Sequence, residues 1–276
     1  MKYTLLTLFL LCMNFTNAYA QEVTALAGDN KEPVEISADK TLEWHQNDKQ
    51  YIADGNAEAK QGDVIITADK LIADYRDDNK GGNVEIWQLT ANEKVTIKNA
   101  DSTIVGDTAV YNIDSAIATL TGNNLKLTMP DQIITARESM EYDSANGIAK
   151  AIGNAKITRA NDTLTAQTIT ANFTKDTNGK QALTTAKADG GVTIATPTET
   201  LTGDYGIYNA TNNTAEVKGN VKIVRGPNIL EGARAEINLT TSVSKMFGAP
   251  ETGKRVKGIF FPGSSDLNNS KKEGGN

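Results

Sequence analysis

A short phrase, written again and again, restricts what this chain can fold into more than any other feature. Thr200-Leu201-Thr202-Gly203-Asp204-Tyr205-Gly206-Ile207-Tyr208 is followed, after a gap, by Ala215-Glu216-Val217-Lys218-Gly219-Asn220-Val221-Lys222-Ile223-Val224. Apolar side chains recur at every second residue and Gly-Asn relaxes the constraint on φ, so the segment reads as two alternating strands joined by a Gly-Asn turn. The element returns at Gly55-Asn56, Gly122-Asn123 and Gly153-Asn154, with variants at Asn92-Glu93-Lys94 and Gly190-Gly191. Gly122, Gly153, Gly190 and Gly219 stand 31, 37 and 29 residues apart. Such a period marks an array of one supersecondary unit whose apolar face is covered by its neighbours.

A second phrase alternates with the first: Ile36-Ser37-Ala38-Asp39, Ile66-Thr67-Ala68-Asp69, Ile104-Val105-Gly106-Asp107, Ile134-Thr135-Ala136-Arg137, Leu164-Thr165-Ala166-Gln167, Leu201-Thr202-Gly203-Asp204 and Leu230-Glu231-Gly232-Ala233. Beyond it the apolar parity slips. After Leu164 and Ala166 the apolar positions become Ile169, Ala171 and Phe173. A regular strand with one buried face cannot slip in this way, so a bulge or corner is expected near Asp69, Asp107, Gln167 and Asp204, turning the chain from one sheet to a facing one. The Asp residues lack the dense carboxylate loop of a calcium site and read as turn residues.

Turn-rich linkers at 46–49, 77–82, 143–147, 175–179 and 210–213 separate the strands, and no long Pro/Ser linker divides the chain. One elongated all-β domain is expected over 34–247, after a flexible leader at 21–33 and before a tail at 248–276. In the tail, Lys254, Arg255 and Lys257 precede Ile259-Phe260-Phe261-Pro262, which reads either as a final strand over 256–261 that protects the sheet edge or as a docking element. Residues 1–20 combine Lys2, an apolar run over 5–13 and Ala18-Tyr19-Ala20, the pattern of a cleavable export signal. Cleavage removes Cys12, the single cysteine, which excludes disulfide and thiol chemistry from the mature chain.

The residues form no recognisable catalytic pattern. His45 beside Trp44 has no evident partner, there is no nucleophile elbow or phosphate loop, and the mature chain lacks the Cys and His residues of a zinc site. Glu138, Glu141 and Asp143 resemble glycosidase carboxylates but fit an exposed strand face better. No cofactor, metal or catalytic residue is assigned. A net charge of −6 without a basic stripe excludes nucleic acid as a partner class.

The paired phrases, Ile-x-Ala-Asp and Gly-Asn-Val/Ala-x-Ile, resemble the OstA-like repeats of the LptA family of periplasmic lipopolysaccharide-transport proteins over 33–261. The resemblance implies an elongated, twisted β-jelly roll of two facing antiparallel sheets, open along one side around an apolar interior. It implies a non-enzymatic bridge in the periplasm that shields the lipid A acyl chains of lipopolysaccharide between the inner and outer membranes. Its implied partners are the jelly-roll domains of inner-membrane LptC and outer-membrane LptD, and copies of itself stacked head to tail through the free edge at Val34 to Ala38. Apolar parity places Val34, Ile36, Ile66, Leu71, Ile97, Leu125, Ile134, Ile157, Ile169, Phe173, Val221, Ile223, Leu230 and Ile237 on the interior face, which the resemblance makes the lipid-binding face. On the residues alone two readings stay open: a lipid groove, or a closed core as in a β-solenoid surface protein. The resemblance also admits the sister component LptC, which keeps an N-terminal membrane helix.

Overall fold

The computed structural model describes residues 34–77, 84–99, 101–175, 181–241 and 243–261. The export signal with Cys12, the leader, most of the linkers at 77–82 and 175–179, and the tail from Pro262 onward lie outside them. The strands run in chain order: β1 (Glu35–Ser37), β2 (Thr41–His45), β3 (Gln50–Gln61), β4 (Val64–Asp77), β5 (Val84–Lys98), β6 (Thr103–Asn112), β7 (Ile117–Thr121), β8 (Leu125–Thr128), β9 (Ile133–Ala136) and β10 (Ser139–Asp143). There follow β11 (Ile148–Arg159), β12 (Asp162–Lys175), β13 (Gln181–Ala195), β14 (Glu199–Asn209), β15 (Thr214–Arg225), β16 (Asn228–Asn238), β17 (Val243–Phe247) and β18 (Lys257–Ile259).

Pairing is antiparallel throughout and follows chain order. Where a long strand is cut at its bend, the halves share a neighbour: β1 and β2 on β3, β7 and β8 on β6, β9 and β10 on β11, β17 and β18 on β16. The result is a meander of bent strands whose two arms make two facing layers. Antiparallel pairing overturns the β-solenoid alternative, because solenoid coils stack in parallel. β18 lies within 256–261, the segment that the sequence offered as a final strand, and pairs with β16.

The Gly-Asn element is not the turn that the sequence suggested. Gly219 and Asn220 sit inside β15, where Lys218 pairs with Arg234 and Val221 with Gly232, so two residues oppose one. Both have positive φ, +75° and +48°, as have Gly55 (+85°) and Asn56 (+43°) within β3. Two successive left-handed residues kink the strand and let pairing resume, a β-bulge that bends the sheet. Hairpin reversals fall to the polar linkers, where Asn112, Asp143, Asn209 and Asn238 accept backbone N–H groups through their side-chain oxygens. The single residue facing each kink on the next strand is where parity slips: Asp69 opposite 55–56, Asp107 opposite 93–94, Gln167 opposite 153–154 and Asp204 opposite 190–191.

The two sequence phrases meet at these bends. Asn56 donates to Asp39 (2.7 Å), Lys94 to Asp69 (2.8 Å), the Asn123 backbone N–H to Asp107 (3.1 Å) and Asn220 to Asp204 (3.0 Å). The core lies between the layers and is made of the in-facing Ala, Val, Ile and Leu. Leu164, Leu201 and Val217 are wholly buried, as is Ala155 at the narrow bend.

Candidate functional site

Of the interior residues named from the sequence, Leu71, Ile97, Leu125, Ile157, Ile169, Val221, Ile223 and Ile237 lie in one contiguous buried cluster, and Phe173 is buried too. Val34, Ile36, Ile66, Ile134 and Leu230 are partly buried and pack against that cluster. Lys156, of the opposite parity, is exposed on the outer face and Lys222 is half-buried there.

The strand parity missed what lines the ends of the interior. On one rim the in-facing residues are aromatic. Tyr51, Tyr75, Tyr111, Tyr142 and Tyr208 stand near the hairpin ends, with Trp44 donating to the Tyr75 hydroxyl (2.7 Å), Gln181 to Tyr142 (2.7 Å) and Tyr208 to Asn213 (3.1 Å). Burial pushes the Tyr111, Tyr142 and Tyr208 phenols up, so all three stay neutral at physiological pH. The signal was a Tyr or Phe recurring just before successive linkers, at Tyr75, Tyr111, Tyr142, Phe173 and Tyr208.

The opposite rim is charged in the second half of the chain. Arg159 holds Asp131 at 2.9 Å, and Arg225 lies 3.5 Å from Glu199, a carboxylate only 3% exposed. Asp162, 4% exposed, has its pKa raised by burial, against a lowering influence from Arg159. In the first half the equivalent strand ends carry Gln61, Asn99 and Ser102 instead.

Two apolar cavities open into the interior. One, of about 30 Å³, lies among Ile36, Leu42, Tyr51, Leu71, Leu89 and Tyr111. The other, of about 110 Å³, lies among Ile104, Leu127, Met129, Ile134, Met140 and Ile169, midway along the chain. Larger, more open hollows of about 640 and 500 Å³ have mixed walls, the first with Ile207, Glu216, Glu236 and Lys245 and the second with Leu125, Lys126, Arg137 and Lys156. Between its rims the described interior thus offers hydrocarbon surface. Among the described residues no cluster of His, Asp and Glu could hold a metal. The acidic cluster reads as surface chemistry: Glu138 accepts from Gln167 (3.2 Å), Glu141 from Lys150 (3.4 Å) and Asp143 from Asn146.

The family model described as the LptA/(LptD N-terminal domain) LPS transport protein matches this chain twice, over residues 35–139 and 133–243. This chain belongs to that family. It is therefore an OstA-like protein of lipopolysaccharide transport, a non-enzymatic class whose members are periplasmic or associated with the outer membrane. The two matches meet at 133–139, beside the 110 Å³ cavity, so the meander is two OstA-like units in tandem with one unbroken ladder. Among solved structures, LptH of Pseudomonas aeruginosa, the LptA-homologous periplasmic component of its lipopolysaccharide-transport device, aligns at 19% identity and a TM-score of 0.39. That alignment covers 48% of this chain and 95% of the LptH chain. A search of curated proteins returned no match.

Proposed function

We propose that this OstA-like chain is a periplasmic bridge of the LptA type, which binds lipopolysaccharide and shields its acyl chains on the way from the inner to the outer membrane. The observation that carries the reading is the single apolar interior that runs through both units and holds a cavity where they meet. An acyl chain of about a dozen methylenes resists exposure to water by roughly 10 kcal/mol, at ~0.8 kcal/mol per CH₂. Closely similar in-facing aliphatics along the ladder give many sites of similar energy, so a chain can slide without a deep trap.

The N-terminal edge fits a partner of the same fold. Among the described residues β1 and β2 pair on one side only, with β3, and Leu42 (59% exposed) and Trp44 (57%) stand largely exposed on β2. A jelly-roll edge such as that of LptC or LptD would complete the ladder and cover both. A second copy would have to offer β17 and β18, an edge broken by residues 248–256. The geometry therefore favours a dissimilar partner over a head-to-tail copy at this end.

Photo-crosslinking in cells tests the reading. A crosslinker at Ile36 or Ile157 captures lipopolysaccharide and one at Lys156 does not; capture at Lys156 alone inverts the faces. Absence of saturable lipopolysaccharide binding by the purified chain removes the transport role.

A further inference from the structure

The last strand carries a surface that the bridge function leaves unused. Between β17 and β18 the chain leaves the sheet at the bend, closes a small loop through the Ala249–Lys254 bridge and a single 3-10 turn at Pro250–Thr252, and returns. Residues 250–258 are all exposed. Within 243–261 stand Lys245, Lys254, Arg255 and Lys257 against one acid, Glu251, in a chain whose net charge is −6.

Ten cations elsewhere in the described residues are neutralised locally, while others, such as Lys126 and Lys156, stand alone on the outer faces. Lys40, Lys49, Arg76, Lys94, Lys150, Arg159, Lys218, Lys222, Arg225 and Arg234 each have an acidic partner. Lys254, Arg255 and Lys257 have none among the described residues. Directly after them come Phe260, 72% exposed, and Phe261, 52% exposed, with Val256 at 42% just before. Phe260 lies over Gly258, where an added Cβ would come within 2.6 Å of its ring. Gly258 thus permits a close ring-on-backbone contact that helps to hold an apolar side chain in solvent.

We propose that this loop and strand form a docking site for a membrane surface bearing anionic phosphate headgroups. Three unpaired cations supply the attraction to phosphate, and the two phenylalanines enter the headgroup boundary. A sheet edge from another chain is a poorer occupant, because the excursion at 248–256 interrupts the ladder of free backbone groups that such a strand would need.

The test is co-sedimentation of the full chain with phosphatidylglycerol and with phosphatidylcholine vesicles, at low and high salt. Wild type is expected to bind the phosphatidylglycerol vesicles preferentially and to release them as salt rises. Lys254→Gln/Arg255→Gln/Lys257→Gln should weaken that binding about a hundredfold, from the strength of each cation near an anionic surface. Phe260→Ser/Phe261→Ser should weaken it on both vesicle types, and the melting temperature of each variant reports whether it is folded. Equal binding of the wild type and the triple variant overturns the proposal. So does competition by millimolar inorganic phosphate, which would mark an ion site, or loss of self-association without any vesicle binding, which would mark an acidic protein edge. Lipopolysaccharide capture at Ile157 should be unchanged in the triple variant, so this inference and the bridge reading fail separately.

Discussion

Asn220 donates its side-chain amide to the Asp204 carboxylate across 3.0 Å, joining the kink of β15 to the corner of β14. Gly219, beside it, has φ of +75°, and a Cβ there would come within 2.2 Å of Asp204 Oδ2. Gly219→Ala should therefore destabilise by about 1–3 kcal/mol through strain and overlap, and Asn220→Ala by about 1–2 kcal/mol through the lost hydrogen bond and its left-handed backbone. Urea denaturation reads both. An unchanged midpoint for Gly219→Ala would show that the bend tolerates an ordinary backbone.

Leu201→Ala removes a wholly buried side chain from the second unit. A loss of about 2–5 kcal/mol in equilibrium unfolding is expected, since the tightly packed layers there cannot collapse around the void. Leu42→Ala, on the exposed edge strand, should cost well under 1 kcal/mol and weaken partner capture instead.

Asp162 supplies a test in pH. Its folded pKa is raised by burial, so folding penalises its charged form. That penalty is fully present above the folded pKa and is relieved as pH falls through it. Asp162→Asn should be at least as stable as wild type at neutral pH, with the difference closing in acid. A variant clearly less stable at pH 7 would show that Arg159 stabilises the carboxylate more than burial opposes it.

His45 titrates the other way. Its hydrogen bond to Glu43 (2.6 Å) raises its pKa, with Asp48 at 3.6 Å assisting. The stability it adds is fully present below the unfolded value and is lost as pH rises through the folded one. The ring protons of His45, the one histidine, should titrate above pH 6.5 by NMR, and Glu43→Gln should bring the midpoint down.

Truncation after Pro250 deletes β18 and bares Ile229, Leu230 and Glu231 on β16, and so should lower the melting temperature and promote oligomers. Truncation after Ser270 should leave stability unchanged. Full stability in the Pro250 form would mean that β18 protects nothing.

Much of this was legible in the residues. The parity slip between Leu164 and Ile169 demanded a corner, because no regular strand can expose one face and then bury it. The Gly-Asn kinks were misread because two left-handed residues suit a hairpin turn and a mid-strand bulge equally well. Only the polar linkers that flank every strand, such as Ala210 to Asn213, show that the reversals happen elsewhere. The in-facing aliphatics followed from alternation alone. The rims did not, since alternation reports which face a side chain takes and not how far along the layers it stands. Tyr142 and Asp162 share a face with Ile157 yet lie at opposite margins.

The order of pairing also governs how such a chain acquires its shape. Each strand bonds to partners that lie close to it in sequence, so every closure is a short loop with little entropy to overcome. A polypeptide arriving one end first can fold hairpin by hairpin onto the part already formed, without waiting for a distant segment. Each new hairpin covers the hydrogen-bonding edge left by the one before, so beyond the N-terminal edge of β1 and β2 an open margin remains only at the growing end.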